Sequence, residues 1–298
     1  MQTPSIKNIF AATAILGTTL LATNLQAQSG NSSATKSGYA PVNGLNLYYQ
    51  IHGIGQPVIL LHGGLGAIEM FGEVLPQLAK GRQVIAVDLQ AHGRTADINR
   101  PLSYERMADD IAGLIRHLGL SNADVMGYSL GGGVALRTAI QHPSLVRKLV
   151  LVSTPFKRDG WFADLRAQHA QMGAASAEGM KGSPPHQLYV GVAPKPENWV
   201  TLHNKIRELL VQDYNWADEV AKLKLPTMIV AGDADSISTA HTAQFFELLG
   251  GGQKDAGWDG SGMSKAQLAI LPATSHYQIF MSSALSATVI PFLDAASK

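Results

Sequence analysis

The chain has 298 residues, 46% of them hydrophobic and 15% charged, with 23 basic against 22 acidic side chains and no cysteine. Balanced charge without a basic run argues against a nucleic-acid or polybasic membrane partner. Absent thiols exclude disulfides, thiolate metal sites and a thiol nucleophile, while the length allows one large α/β domain or two small ones.

In chain order, residues 1–27 read as a secretory signal. Lys7 is their single charge, and Ile9 to Leu21 is an apolar stretch softened by Thr13, Gly17, Thr18 and Thr19. It is shorter than the ~18 apolar residues of a membrane span. Leu25-Gln26-Ala27 forms a cleavage box, which predicts an exported (periplasmic or secreted) protein starting at Gln28. Its removal leaves 22 basic against 22 acidic residues. Residues 28–38 read as a flexible leader.

From Tyr39 the pattern becomes regular. Tyr39–Val42 and Leu45–His52 flank Asn43-Gly44, a favoured two-residue hairpin turn. Val58–Leu61, Val84–Val87, Val125–Gly127, Leu149–Val152, Met228–Ala231 and Leu268–Leu271 are short apolar runs without alternation, as expected of strands buried on both faces of a parallel sheet. Helical segments alternate with them near 67–80, 103–118, 130–142, 238–249 and 282–296, with Ser103 a helix cap and Gly119 a stop. This alternation predicts an α/β fold with a doubly wound, mostly parallel sheet. Between the strands near Ser153 and Thr227 lie about 70 helical residues, long enough to be an inserted lid. The organisation is therefore a core over 39–154, a lid over 155–222 and the rest of the core over 223–298.

Gly127-Tyr128-Ser129-Leu130-Gly131 is a G-x-S-x-G sequence placed between an apolar run and the helix opening at Gly132-Gly133. That strand–turn–helix setting is what a nucleophile elbow requires. Three glycines in a helix start are poor for helix propensity, so something other than stability favours them. A phosphate-binding turn would need the G-x-G-x-x-G order or a P-loop lysine, and both are missing. A serine nucleophile needs a base and an orienting acid. Downstream, one run ends in Gly232-Asp233-Ala234-Asp235 and another in Pro272-Ala273-Thr274-Ser275-His276, which brings a carboxylate and an imidazole to the strand edge carrying Ser129.

The order Ser, Asp, His in these contexts resembles the α/β-hydrolase superfamily, in particular its capped, esterase-like branch, from the Asn43-Gly44 hairpin to the last helix. The resemblance implies Ser129 as nucleophile and His276 as base. It selects Asp235, three residues after the glycine, as the acid, with Asp233 second; His241 sits in the helix just beyond and is badly placed. Leu60-Leu61-His62-Gly63-Gly64 resembles the family's H-G loop, which implies the Gly64 and Leu130 amides as an oxyanion hole and a structural role for His62. Asp88-Leu89-Gln90-Ala91-His92-Gly93-Arg94 carries Gln90-Ala91 where the family commonly has Arg-Gly, a departure that touches a scaffold turn. Gly250–Gly262, a glycine-rich helix-to-strand loop, is expected to lie away from the chemistry.

The implied activity is serine hydrolysis of a carboxylic ester or lactone. The alternatives are C–C bond or amide hydrolysis on the same triad, or a non-hydrolytic member acting as a binding protein or cofactor-independent oxygenase. A serine at 129 argues against the dehalogenases and epoxide hydrolases that attack with aspartate. The ten histidines show no metal-type spacing, so neither metal nor cofactor is expected, and the partner is a small-molecule substrate. The lid balances eight basic and eight acidic residues with seven aromatics (Phe156, Trp161, Phe162, Tyr189, Trp199, Tyr214, Trp216). That composition points to a medium-sized apolar or aromatic group.

Overall fold

The structure, a computed structural model, describes residues 36–296; the signal and most of the leader expected over 1–38 lie outside them. Lys36 to Gly38 are not leader but the start of strand β1 (Lys36–Val42), which pairs with β2 (Leu45–His52) around Asn43 and Gly44, both at positive φ. The other strands are β3 (Gln56–Leu61), β4 (Arg82–Val87), β5 (Ala123–Tyr128), β6 (Val146–Val152), β7 (Thr227–Ala234) and β8 (Ala266–Ser275). They form one sheet in the order β1-β2-β4-β3-β5-β6-β7-β8, antiparallel at β1–β2 and β2–β4 and parallel from β4 to β8.

The unalternating runs divide their residues between two cores. In β3, Val58 and Leu60 face one core while Ile59 and Leu61 face the other, and β4 splits Val84 and Ala86 from Ile85 and Val87 in the same way. Successive side chains of a strand point to opposite faces, so a strand covered on both sides must be apolar at every position. Helices α1 (Val74–Ala79) and, at the C-terminus, α10 (Ser283–Asp294) cover one face. Helices α2 (Tyr104–His117), α3 (Leu130–Gln141) and, after β7, α9 (Thr239–Leu248) cover the other. Ser103 caps α2 by accepting a hydrogen bond from the Arg106 amide at 3.1 Å. The helix expected over 67–80 is instead a short 3₁₀ turn, Ile68–Phe71, and α1, separated at Gly72, whose φ of 42° no continuous helix allows.

Between β6 and β7 the chain forms α4 (Ala163–Gln171), α5 (Ala174–Gly179), α6 (Pro184–Val192), α7 (Trp199–Val211) and α8 (Ala217–Val220). This insert is held to the body by packing and by charge. Trp216 meets Tyr104 of α2 edge-on at 5.3 Å, and Lys205 Nζ donates to the Asp97 carboxylate at 2.8 Å and to the Ile98 and Arg100 carbonyls at 2.9 Å. The Gln90-Ala91 departure has a structural account. Gln90 Oε1 accepts from Arg100 Nε at 2.8 Å, and Arg100 pairs with Asp110 of α2. Ala91 takes φ 66°, a conformation glycine would reach more cheaply.

Candidate active site

The C-terminal ends of β5, β7 and β8 lie along one sheet edge, and each delivers one predicted side chain. Ser129 sits in the turn from β5 to α3 at φ 52° and ψ −117°, tied to β6 by a 2.9 Å bond from its N–H to the Val152 carbonyl. The flanking glycines exist for space. A Cβ on Gly127 would collide with the Gly131 carbonyl, and one on Gly131 with the Leu61 and His62 carbonyls. The strained serine is thus held by a turn that only glycines can close.

His276 Nε2 lies 3.1 Å from Ser129 Oγ, and His276 Nδ1 lies 2.8 Å from Asp235 Oδ1. Asp235 accepts three more hydrogen bonds: from Ser153 Oγ at 2.5 Å, the Gly232 amide at 3.1 Å and the Ser236 amide at 2.7 Å. Burial pushes the Asp235 pKa up, but His276, the Ser153 hydroxyl and the Gly232 amide outweigh it and hold the carboxyl below its usual value. An ionised Asp235 can only accept, so Nδ1 carries the imidazole proton and Nε2 presents its lone pair to the serine hydroxyl.

Asp233 and His241 are not part of this group. Asp233 accepts from the Ala273 and Thr274 amides at 3.0 and 3.1 Å, which tie β8 to β7 and lower its pKa. His241 stacks on Phe156 at 4.3 Å and accepts from the Phe156 amide. His62 is fully buried; it donates from Nδ1 to the Gly63 carbonyl at 2.7 Å and accepts at Nε2 from the Leu89 amide at 3.1 Å. Burial takes its pKa down to about 4, so it is a neutral strut under the glycine loop.

Gly64 and Leu130 border the same cavity as Ser129 and His276. Gly63 packs so closely on the Tyr128 ring and Ser129 that a Cβ there would be 2.6 Å from Tyr128 Cε1. Leu130 is the first residue of α3, where an N–H has no intrahelical partner and the helix dipole favours negative charge. Two further residues escaped the sequence reading. Ser153, at φ 50° beyond β6, supports Asp235 from a strand end 82 positions away. Tyr128 donates its hydroxyl to the His276 carbonyl at 2.9 Å and packs its ring on the imidazole. A polar residue ending β6 on the same edge was the only available signal for Ser153.

The cavity has a volume of about 420 Å³. The body contributes Met70, Tyr277 and Phe280, and the insert contributes Trp161, Leu165, Met172, Met180, Ile206 and Leu210. Of the seven aromatics between 155 and 222, only Trp161 reaches it; it meets His276 edge-on at 5.4 Å. No residue of the 250–262 loop lines this cavity, and among the described residues no cluster of three metal-type ligands is found.

A family model described as the alpha/beta hydrolase fold matches residues 56–275, a span that holds every strand from β3 to β8 and the serine turn. The chain belongs to this family. The AB hydrolase superfamily protein YisY of Bacillus subtilis is 29% identical over 216 residues, 65% of this chain and 80% of that protein. Among solved structures, a meta-cleavage product hydrolase of Pseudomonas fluorescens, CumD, superposes with a TM-score of 0.68 at 22% identity, covering 88% of this chain and 98% of that one. The enol-lactonase of Burkholderia xenovorans superposes with a TM-score of 0.66 at 20% identity over 86% and 100% of the two chains. At such identities the superpositions establish the alpha/beta hydrolase fold and nothing finer.

Proposed function

We propose that this alpha/beta hydrolase cleaves a carboxylic ester or lactone of small to medium size through an acyl-enzyme on Ser129. The observation that carries the reading is the unbroken relay from Asp235 to His276 to Ser129, at 2.8 and 3.1 Å. As Ser129 Oγ attacks the carbonyl carbon, its proton passes to His276 Nε2 and Asp235 stabilises the imidazolium. The carbonyl electrons move onto oxygen, where the Gly64 and Leu130 amides receive the charge, each donor contributing about 10²–10³ in rate. Collapse expels the alkoxide, which takes the proton from Nε2. Water then repeats the sequence on the acyl-serine and releases the acid. The mostly apolar cavity suits an uncharged acyl or alcohol group.

Two measurements test this. A fluorophosphonate probe should label the wild-type chain stoichiometrically and leave Ser129→Ala unlabelled; labelling of that variant would sink the assignment. A panel of p-nitrophenyl esters of graded chain length should show turnover, and a folded protein that hydrolyses none of them would favour a non-hydrolytic member of the family.

A further inference from the structure

Helix α7 presents His203, Ile206 and Leu210 to the cavity, a spacing that places all three on one face. Ile206 packs over Gly64, its Cδ1 3.8 Å from where a Cβ on that glycine would stand. His203 therefore borders the cavity about one turn, or ~4.5 Å of helix rise, from the residue that covers the glycine loop. It has no exposed surface, and its Nε2 has no hydrogen-bond partner. A buried group left unpaired forfeits the hydrogen bond it had with water, so a native structure that keeps one calls for an explanation.

The state of that nitrogen follows from its neighbour. Ser176 Oγ of α5 makes three contacts: it accepts from the Gly173 amide at 2.9 Å, lies 3.0 Å from the Gly173 carbonyl and lies 3.2 Å from His203 Nδ1. A hydroxyl has one hydrogen to give. Only one assignment puts a hydrogen in every contact: Oγ donates to the Gly173 carbonyl and His203 Nδ1 donates to Oγ. His203 Nε2 is then a bare lone pair. Burial keeps the ring neutral, with a pKa lowered to about 4. Met172 and Met180 of the insert line the same cavity and have the rotamer freedom to open a path to it.

We propose that His203 Nε2 is a specificity-determining hydrogen-bond acceptor, and that the substrate carries a hydroxyl or N–H donor in the portion lying under α7. The proposal rests on the hydrolase reading above and narrows its substrate class from plain aliphatic esters to donor-bearing ones. A site built to accept a donor discriminates strongly against an isostere that lacks it, because the buried partner is left unsatisfied.

Matched esters test it on both sides of the scissile bond. Ethyl 3-hydroxybutanoate, 3-oxobutanoate and 3-methylbutanoate vary the acyl group; 4-hydroxypentyl, 4-oxopentyl and 4-methylpentyl acetates vary the alcohol. In at least one series kcat/KM of the wild type should favour the hydroxyl ester by about 10-fold or more over both analogues. His203→Phe should erase that preference while still hydrolysing the methyl ester and taking up fluorophosphonate. His203→Gln, with a carbonyl acceptor, should restore part of it. Equal rates for hydroxyl and methyl esters, a preference for the oxo esters, or an unchanged preference in His203→Phe would overturn the assignment. A readout without turnover separates this from failure of the hydrolase reading. The ¹⁵N resonance of His203 Nε2 should move on adding 3-hydroxybutanoate or pentane-1,4-diol, according to the series that shows the preference, and stay still with 3-methylbutanoate and 4-methylpentan-1-ol. No differential movement would reject the acceptor role even in a protein that hydrolyses esters.

Discussion

In the body, β3 buries Val58 to Leu61 completely and β4 does the same from Val84 to Val87, whereas α4 of the insert buries none of its nine residues and α6 only Tyr189. The insert depends on α7, which buries Trp199, Leu202, His203, Ile206 and Leu209, and on the Tyr214–Trp216 pair against Tyr104. The two regions also hold their polar groups differently. In the body the polar atoms of the relay are tied to strand ends, as with Asp235 and its four donors. On the insert side His203 keeps a nitrogen in reserve. A close-packed sheet edge can hold reacting atoms within tenths of an ångström, and a thinly packed helical cover can adjust to what it encloses.

The sharpest way to break this contrast is at the relay. Asp235→Asn should lower kcat about 10⁴-fold with the fold intact, because an amide no longer enforces the imidazole tautomer. Asp233→Asn should leave turnover close to wild type and lower the melting temperature, since it loosens the β7–β8 tie. Equal losses of turnover in the two variants would contradict the geometric separation of these carboxylates.

Acid should strike both regions through buried imidazoles. Burial holds His62, His169, His203 and His241 down to about 4 and His92 to about 3, while a free imidazole titrates near 6.5. The unfolded chain therefore binds protons there that the native state refuses, and stability is fully present above 6.5 and lost as pH falls towards 4. Asp88 acts in the opposite direction. Burial raises its pKa to about 6, so below that pH the native state gains a proton which the unfolded state takes only near 3.8. With Asp124, which burial also raises, five histidines against two aspartates leave roughly three protons taken up on unfolding near pH 5. Urea midpoints should accordingly fall steeply from pH 7 to 5, and a flat profile would mean that these rings are not held neutral.

Trp199→Ala removes the ring that donates to the Ala177 carbonyl at 2.9 Å and packs on His203 at 4.4 Å. The cost, about 3–5 kcal/mol for a buried aromatic, should fall on the insert. Proteolysis within 163–211 should accelerate and ester selectivity flatten, while fluorophosphonate still labels Ser129. Loss of labelling would show that the body depends on its cover more than the packing suggests. The smallest effect is expected for Ser153→Ala. Deprived of one of four donors, Asp235 holds its charge less tightly, so kcat should fall about 10-fold, with the acid limb of the pH–rate profile moved upward. A purely structural role for Ser153 would leave that limb in place.

Legibility of the site followed the distance over which each feature is determined. The elbow could be read because strand, glycines, serine and helix are consecutive, and the glycines answer clashes among residues 61–62, 127 and 131. The choice between Asp233 and Asp235 could not be derived from the residues alone and came from family resemblance. Two positions apart on a regular strand they would share a face, but the β7–β8 register shifts between Gly232 and Ala234 and sends one carboxylate to β8 amides and the other to His276. The composition of the insert gives its aromatics mainly a role in holding it to the body, without saying which one meets the cavity; most of them join the insert to itself and to α2, and Trp161 is the one that lines the cavity.

By itself the sequence determined what neighbours along the chain decide: runs apolar at every position for a sheet covered twice, the hairpin, the helix cap and the strained serine turn. Tertiary structure alone decided that Ser153 supports Asp235, that Tyr128 holds the His276 backbone and that His203 is left with a free lone pair beside the cavity. These are hydrogen-bond allocations between segments 27 to 148 residues apart. Whether a donor finds an acceptor across such separations depends on strand order, register and helix packing, which no local pattern of residue types records.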